Sequence, residues 1–383
     1  MKKTIKTVLL LLIVIFTSFF SAGCWNYREI DDMTIISGVA IDKGVDKKYL
    51  VTVELVELSG GTEVEQLTRI VSVEGDSIFD AVRNEIVYIG KKAYWSHTKI
   101  VIVSQDIAKE GLIKVIDWFS RDIEIRENIY LLVSKGETAK EIFEAKPITN
   151  EVLSFQLDKM LENQARLEKA PSGDLRDFIN TLRLEGSCAV TPAISLDNAD
   201  NEKRAKISGT AFFKEDKLVG FLDDLDTQTM LFIKNEVRGG AIYSEEKIRN
   251  SYATLEIFRS KTKIKPDIHG NNVTMKVSID IEAAINEING TCNLIDEDGR
   301  KELQQHFEDM LNSRAAKLIK EIQSKYGTDI FGFGAKLRED KPDYWKKVRE
   351  NWEEEFKDLK VNIDTKVKVI NSAKLTRPLK EGD

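Results

Sequence analysis

Three cysteines, three histidines and six prolines in 383 residues leave this chain few staples and little nucleophilic chemistry. Cys24, Cys188 and Cys292 are too few and too scattered for a disulfide framework. The apolar flanks of the last two point to buried free thiols rather than the one bridge they could form. None of His97, His269 and His306 has a second His or Cys at ligand spacing, which argues against zinc. His97, beside Tyr94, Trp95 and Thr98, reads as a packed or capping residue, and His306 as solvated on a charged helix. With so little proline, ordinary apolar content (42%) and mixed charge, the chain is folded rather than a disordered stalk. Its formal net charge of −7 excludes a phosphate-neutralising nucleic-acid binder.

Familiar catalytic and ligand-binding motifs are missing as well. No Gly-x-Ser-x-Gly elbow occurs. Gly332 and Gly334 begin a dinucleotide-like pattern, but Leu337 stands where its third glycine belongs, so a sharp bend before a helix is expected. Asp296, Asp298 and Gly299 resemble part of a calcium loop whose first and last ligand positions hold Leu294 and Gln305, which leaves turn chemistry. Asp223, Asp224 and Asp226 fit an acidic helix start better than a cation site. The charge cluster from Arg121 to Arg126 reads as a salt-bridge network in preference to a docking surface.

What the chain does have is an informative start. Lys2, Lys3 and Lys6 precede an apolar stretch from Val8 to Phe20, which is short of the roughly 20 residues of a membrane span and closes with Ser21-Ala22-Gly23-Cys24. This is the layout of an export signal cleaved between Gly23 and Cys24. The Cys24 thiol would then carry a diacylglycerol thioether, a palmitate-type lipid anchor whose two chains hold a protein durably at a bilayer. Without the signal the chain holds 54 basic and 64 acidic side chains, net −10. Trp25, Tyr27 and Arg28 follow at once, either settling at the headgroup level or forming a plain tether or first strand.

The remaining pattern predicts an α+β chain with mixed and antiparallel sheets packed by helices. Met33 to Asp42 and Tyr49 to Leu58 form a hairpin, and a third strand covers Arg69 to Glu74. A helix follows with Ile78, Phe79, Val82, Ile86 and Val87 inward. After a strand at Thr98 to Val103 comes one helix from Gln105 to Phe119, then a strand at Ile129 to Val133. Pro147 to Glu185 carries two helical stripes, and polar Asp197 to Arg204 reads as a linker. Beyond it, strands at Ile207 to Phe213 and Leu218 to Leu222 flank a turn, and Val273 to Ile281 alternates strictly. A long helix from Leu303 to Tyr326 stops at Gly327, Pro342 opens a helix reaching Leu359, and Val361 to Val369 closes as a strand. The chain thus divides into a signal (1–23), an amino-terminal α/β region (24–146), a helical connection with linker (147–204) and a carboxyl-terminal α+β domain (205–383).

The run Gly-Cys-Trp-Asn-Tyr-Arg-Glu-Ile-Asp-Asp from Gly23, with Ile-Ile-Ser-Gly-Val-Ala-Ile-Asp from Ile35, resembles the mature start of the Ger(x)C spore germination lipoproteins. His97-Thr98-Lys99, Ala108 to Leu112, Arg121 to Arg126, Gly209 to Phe213 with Leu218 to Leu222, and Asp329 to Gly334 with Trp345 and Trp352 are similar to further segments of that family in order. The resemblance implies three mixed domains and the lipid-anchored C subunit of a nutrient germinant receptor. It further implies a place on the outer face of the spore inner membrane, beside A-type and B-type membrane subunits, with no catalytic residues, metal or cofactor. A solute-binding lipoprotein feeding a transporter is the alternative reading of the anchor and the several domains. An envelope hydrolase built on paired carboxylates is a third.

Overall fold

The computed structural model describes residues 2–20, 33–58, 66–126, 128–149, 152–199, 202–270 and 272–371. Helix α1 (Lys2–Phe20) is the amino-terminal apolar stretch. No helix among the described residues is long and apolar enough to cross a membrane.

The expected hairpin forms from β1 (Met33–Lys43) and β2 (Tyr49–Leu58), with β3 (Gln66–Gly75) antiparallel beyond it. Helix α2 (Ile78–Ile89) starts where Ser77 Oγ accepts from the Asp80 amide and ends at left-handed Gly90. Its inward face differs from the expected one. Ile78, Ala81 and Glu85 are buried, with Val82 and Ile89 packed beside them, while Phe79, Ile86, Val87 and Tyr88 lie exposed. The helix carries more apolar residues than one stripe needs, and the sheet selects the stripe one position away.

The chain returns through β4 (Lys92–Tyr94) and β5 (Ile100–Val103), both parallel to β1. The single helix expected after β5 is broken into α3 (Gln105–Glu110) and α4 (Ile113–Arg121). At the break Gly111 adopts φ +125°, and a Cβ there would meet Asp216 Oδ2 at 2.6 Å. Asp216 in turn accepts from the Leu112 amide through its carbonyl and from the Ile113 amide through its side chain. A distant turn therefore starts α4.

Next come β6 (Tyr130–Ser134), α5 (Leu153–Glu162) and α6 (Leu175–Leu182), then β7 (Val190–Ala199), β8 (Glu202–Lys214) and β9 (Lys217–Leu222). The polar run Asp197 to Arg204 is not a linker. Asp197 pairs with Arg204 and Asn198 with Lys203, making it the tip of the β7–β8 hairpin, polar because it projects past the core. The sheet order is β3-β2-β1-β5-β6-β7-β8-β9, with β4 beside β1. One face packs against α2, α3, α4 and α6, and the other against α5 and a 3-10 turn at Lys140–Glu144.

The rest of the chain builds a second sheet, β10-β11-β12-β13, from β10 (Ala241–Tyr243), β11 (Tyr252–His269), β12 (Asn272–Asn289) and β13 (Lys360–Asn371). It follows α7 (Asp224–Ile233) and is covered by α8 (Glu297–Glu321), α9 (Phe333–Asp340), α10 (Pro342–Val348) and α11 (Trp352–Lys357). The helix expected from Pro342 to Leu359 is thus two helices joined by a 3-10 turn at Arg349–Asn351. Strand β8 links the two cores through its alternation. Phe212 turns into the second core against Tyr326 at 4.9 Å, and Phe213 into the first against Phe178 at 5.0 Å. The architecture is mixed α+β with two dissimilar sheets.

Candidate functional site

Gly23 and Cys24, the expected cleavage and lipid-attachment residues, lie outside the described residues, as do Trp25, Tyr27 and Arg28. The first described residue after them is Met33, which opens β1 and pairs with Lys92 of β4. Chain leaving Cys24 therefore enters the fold at the edge where α2 ends.

The other singled-out residues serve the scaffold. Asp223 caps α7 by accepting from the Asp226 amide, and Asp296 caps α8 by accepting from Gly299. His97 is exposed rather than packed or capping as expected, with its ring beside Tyr94, and His269 pairs with Asp267. His306 is not solvated as expected. It is half-buried edge-on to Phe307, with Nε2 enclosed and unpartnered. Cys188 and Cys292 are free thiols, half-buried rather than fully buried. Burial pushes the Cys188 thiol up to about 12, which leaves it unreactive at neutral pH. In the Arg121 to Arg126 cluster, Arg121 pairs with Asp117, and Glu124 pairs with Lys92. Among the described residues no group of three or more His, Cys, Asp or Glu is placed to hold a metal ion.

A groove of about 490 Å³ between α6 and the end of α7 holds Glu168, Asp174, Asp177, Lys234 and Arg238. Its polar groups are largely spent on backbone. Glu168, itself left-handed at φ 55°, accepts from the Arg238 amide, and burial raises its carboxyl pKa. Asn235, left-handed at φ 61°, accepts from the Thr262 amide, and Asp174 caps α6. Lys234 faces Glu236 at 3.2 Å. This is a fastened junction rather than a set of converging catalytic groups.

Three buried carboxylates that sequence reasoning gave no role hold distant segments together. Glu54, in β2, accepts from Ser37 Oγ and from the Leu153 and Ser154 amides, so a strand residue satisfies the first turn of α5. Gly38 makes room, since a Cβ there would sit 2.0 Å from Ser154 Oγ. Asp42, in β1, accepts from the Ala139 and Lys140 amides at 2.6 and 2.9 Å, and burial raises its pKa against the pull of those donors.

Asp329 is the most heavily bonded of the three. Its Oδ1 accepts from the amides of Phe331, Gly332 and Phe333, and its Oδ2 from the Gly334 amide at 2.7 Å and Trp352 Nε1 at 3.2 Å. Gly332 bends the chain at φ +78° into α9, the sharp turn expected there. The knot is tied to the segment before β7. Gly186 O accepts from the Ala335 amide at 2.7 Å, the Asp329 carbonyl from the Cys188 amide, and Glu185 from Trp345 Nε1. A Cβ on Gly334 would meet Gly186 O at 2.7 Å and Trp352 Nε1 at 2.6 Å, so only glycine fits.

Residues 26–196 match the family described as "Spore germination protein N-terminal domain", and residues 208–373 that described as "Spore germination B3/ GerAC like, C-terminal". Spore germination protein B3 of Bacillus subtilis (strain 168) is 26% identical over 377 residues, spanning 96% of this chain and 98% of that protein. Spore germination protein KC of the same organism is 23% identical over 99% of this chain and 98% of that protein. Spore germination protein GerQC of Bacillus cereus is 24% identical over 93% and 96%. The crystal structure of the GerBC protein superimposes with a TM-score of 0.57 at 23% identity, covering 87% of this chain and 97% of that one, a likeness of fold.

Proposed function

Because the chain belongs to the GerAC (Ger(x)C) family of spore germination proteins, we propose that it acts as the C subunit of a nutrient germinant receptor, anchored by lipid on Cys24 to the outer face of the spore inner membrane. The observation that carries this reading is the end-to-end match. Two family regions in their native order account for residues 26–196 and 208–373, and the relatives are matched over nearly their whole length. The subunit works by assembly with A-type and B-type membrane subunits rather than by chemistry of its own. Confinement to the membrane plane raises its effective concentration near them by orders of magnitude. Two dissimilar sheets differ from the paired similar lobes of a typical solute-binding protein, which disfavours a transport role.

The test is Cys24→Ala. The unmodified chain is expected to leave the membrane fraction, and nutrient-triggered germination through this receptor to fall on the order of a hundredfold, the scale of the lost effective concentration. Flotation of spore membranes and the optical-density fall after nutrient addition measure the two effects. A variant that germinates normally while remaining unacylated would overturn the anchor. Normal germination of a deletion strain with every nutrient, with no redundant receptor to account for it, would overturn the receptor assignment.

A further inference from the structure

The edge where the tether enters also carries an unpartnered apolar surface. In the last turn of α2, Val87 and Tyr88 are 81% and 72% exposed, with exposed Ile86 beside them. Across a shallow groove, Ile123 is 99% exposed. The helix has already given its other face to the core through Ile78, Ala81, Val82 and Ile89, so these residues are a second apolar surface. Cations ring it. Arg83 stacks on Phe79 at 4.9 Å, Lys91 is exposed at the end of α2, and Lys92 and Arg121 flank the groove. Of the acids nearby, Glu124 pairs with Lys92 and Asp117 with Arg121, while Asp122 lines the groove and accepts from the Glu124 amide, so the cations left to face lipid are Arg83 and Lys91.

Position identifies what covers this surface. Eight residues lie between Cys24 and Met33, a reach on the order of 30 Å at full extension. Met33 pairs with Lys92, and α2 runs through Gly90 and Lys91 into that same strand. The opposite end of β1 is Lys43, at the far end of this 11-residue strand. There the hairpin turn presents Val45, 93% exposed, beside Asp46 and between Lys43 and Lys47, which are paired with Glu110 and Asp80.

We propose that the end of α2 and the Ile123 loop form a second membrane contact. Val87, Tyr88 and Ile123 settle at the boundary of headgroups and acyl chains, and Arg83 and Lys91 face the phosphates of anionic lipid. The chain beyond the signal carries net −10, so anionic lipid repels most of its surface and favours the pose that presents this cationic rim. Such a contact gives the folded part a fixed orientation on the bilayer, with the β1–β2 turn directed away from it. The inference rests on lipid attachment at Cys24.

The lipidated protein, with Cys188→Ser and Cys292→Ser, is spin-labelled through Val87→Cys or Val45→Cys and placed in vesicles of phosphatidylglycerol and phosphatidylcholine. Circular dichroism verifies folding. The label at 87 is expected to collide several-fold more with oxygen than with a water-soluble nickel chelate, and the label at 45 to show the reverse. Adding Arg83→Gln and Lys91→Gln, or using phosphatidylcholine alone, should return the first label towards water. If the protein floats with the vesicles while both labels are equally wet, the surface contact is wrong and the anchor stands. If it does not float, both are wrong. If the label at 87 is shielded only when the other receptor subunits are present, the surface is a protein interface and the membrane contact is overturned.

Discussion

Asp329→Ala is expected to lower the stability of the carboxyl-terminal half by about 5 kcal/mol, since several buried amides each lose their partner at roughly 1–3 kcal/mol. The carboxyl is fully enclosed and accepts from four successive amides and the Trp352 indole. Alanine leaves all five donors unmet, with a cavity too small to rehydrate them well. The loss approaches the whole stability of an ordinary domain. Urea unfolding followed by tryptophan fluorescence reads it directly, because Trp345 and Trp352 pack 5.4 Å apart at the knot. Asp329→Asn keeps one acceptor oxygen but turns an amide group towards donors, and should cost roughly half as much. A variant that unfolds at the wild-type urea concentration would mean that the five donors find other partners. Germination should fall with the folded fraction, since the knot joins α9 and α11 to the segment feeding β7.

The places where pattern reading succeeded share a feature. The β1–β2 hairpin shows as two apolar runs around a turn, β12 from Val273 to Ile281 and β13 as alternation, and α8 as a helical stripe, so local sequence is enough to read each of them. Where it failed, a partner distant in sequence decided the outcome. The break at Gly111 depends on Asp216, more than a hundred residues away. Strand β11 went unread because bulges at Thr254/Leu255 and Ile257/Arg259 reset its alternation and because Lys and Arg line its exposed side. A projecting hairpin tip and a linker are equally polar, so Asp197 to Arg204 carried no signal to separate them. The glycines around Asp329 announced a bend, but nothing local announced that Trp352 would close it. Family resemblance, by contrast, was legible in full, since it depends on ordered short segments and not on their contacts.

The inward face of α2 leads to a sharper consequence. Glu85 occupies the stripe with Ile78 and Ala81, fully enclosed, and neither of its oxygens has a hydrogen-bond partner. Burial pushes its pKa up to about 8. The folded chain therefore keeps this proton while the unfolded chain gives it up, so the destabilisation develops as pH rises from about 4.5 to about 8 and is constant beyond. At about 1.4 kcal/mol for each pH unit of that window, the contribution is on the order of 5 kcal/mol. Glu85→Leu fills the same space without a titrating group. Its stability relative to wild type is expected to climb by that amount between about pH 4.5 and about pH 8.5, making the variant the more stable chain in mild alkali. Glu85→Gln, also unable to ionise, should show the same loss of pH slope with a smaller net gain, because its amide stays unpartnered. Urea midpoints at closely spaced pH values decide the matter, and parallel profiles for all three chains would show that Glu85 finds a counter-charge or water when ionised. The same ionisation loosens α2 from β3, so above about pH 8 the exposed turn bearing Val87 and Tyr88 should exchange its amide hydrogens faster in wild type than in Glu85→Leu.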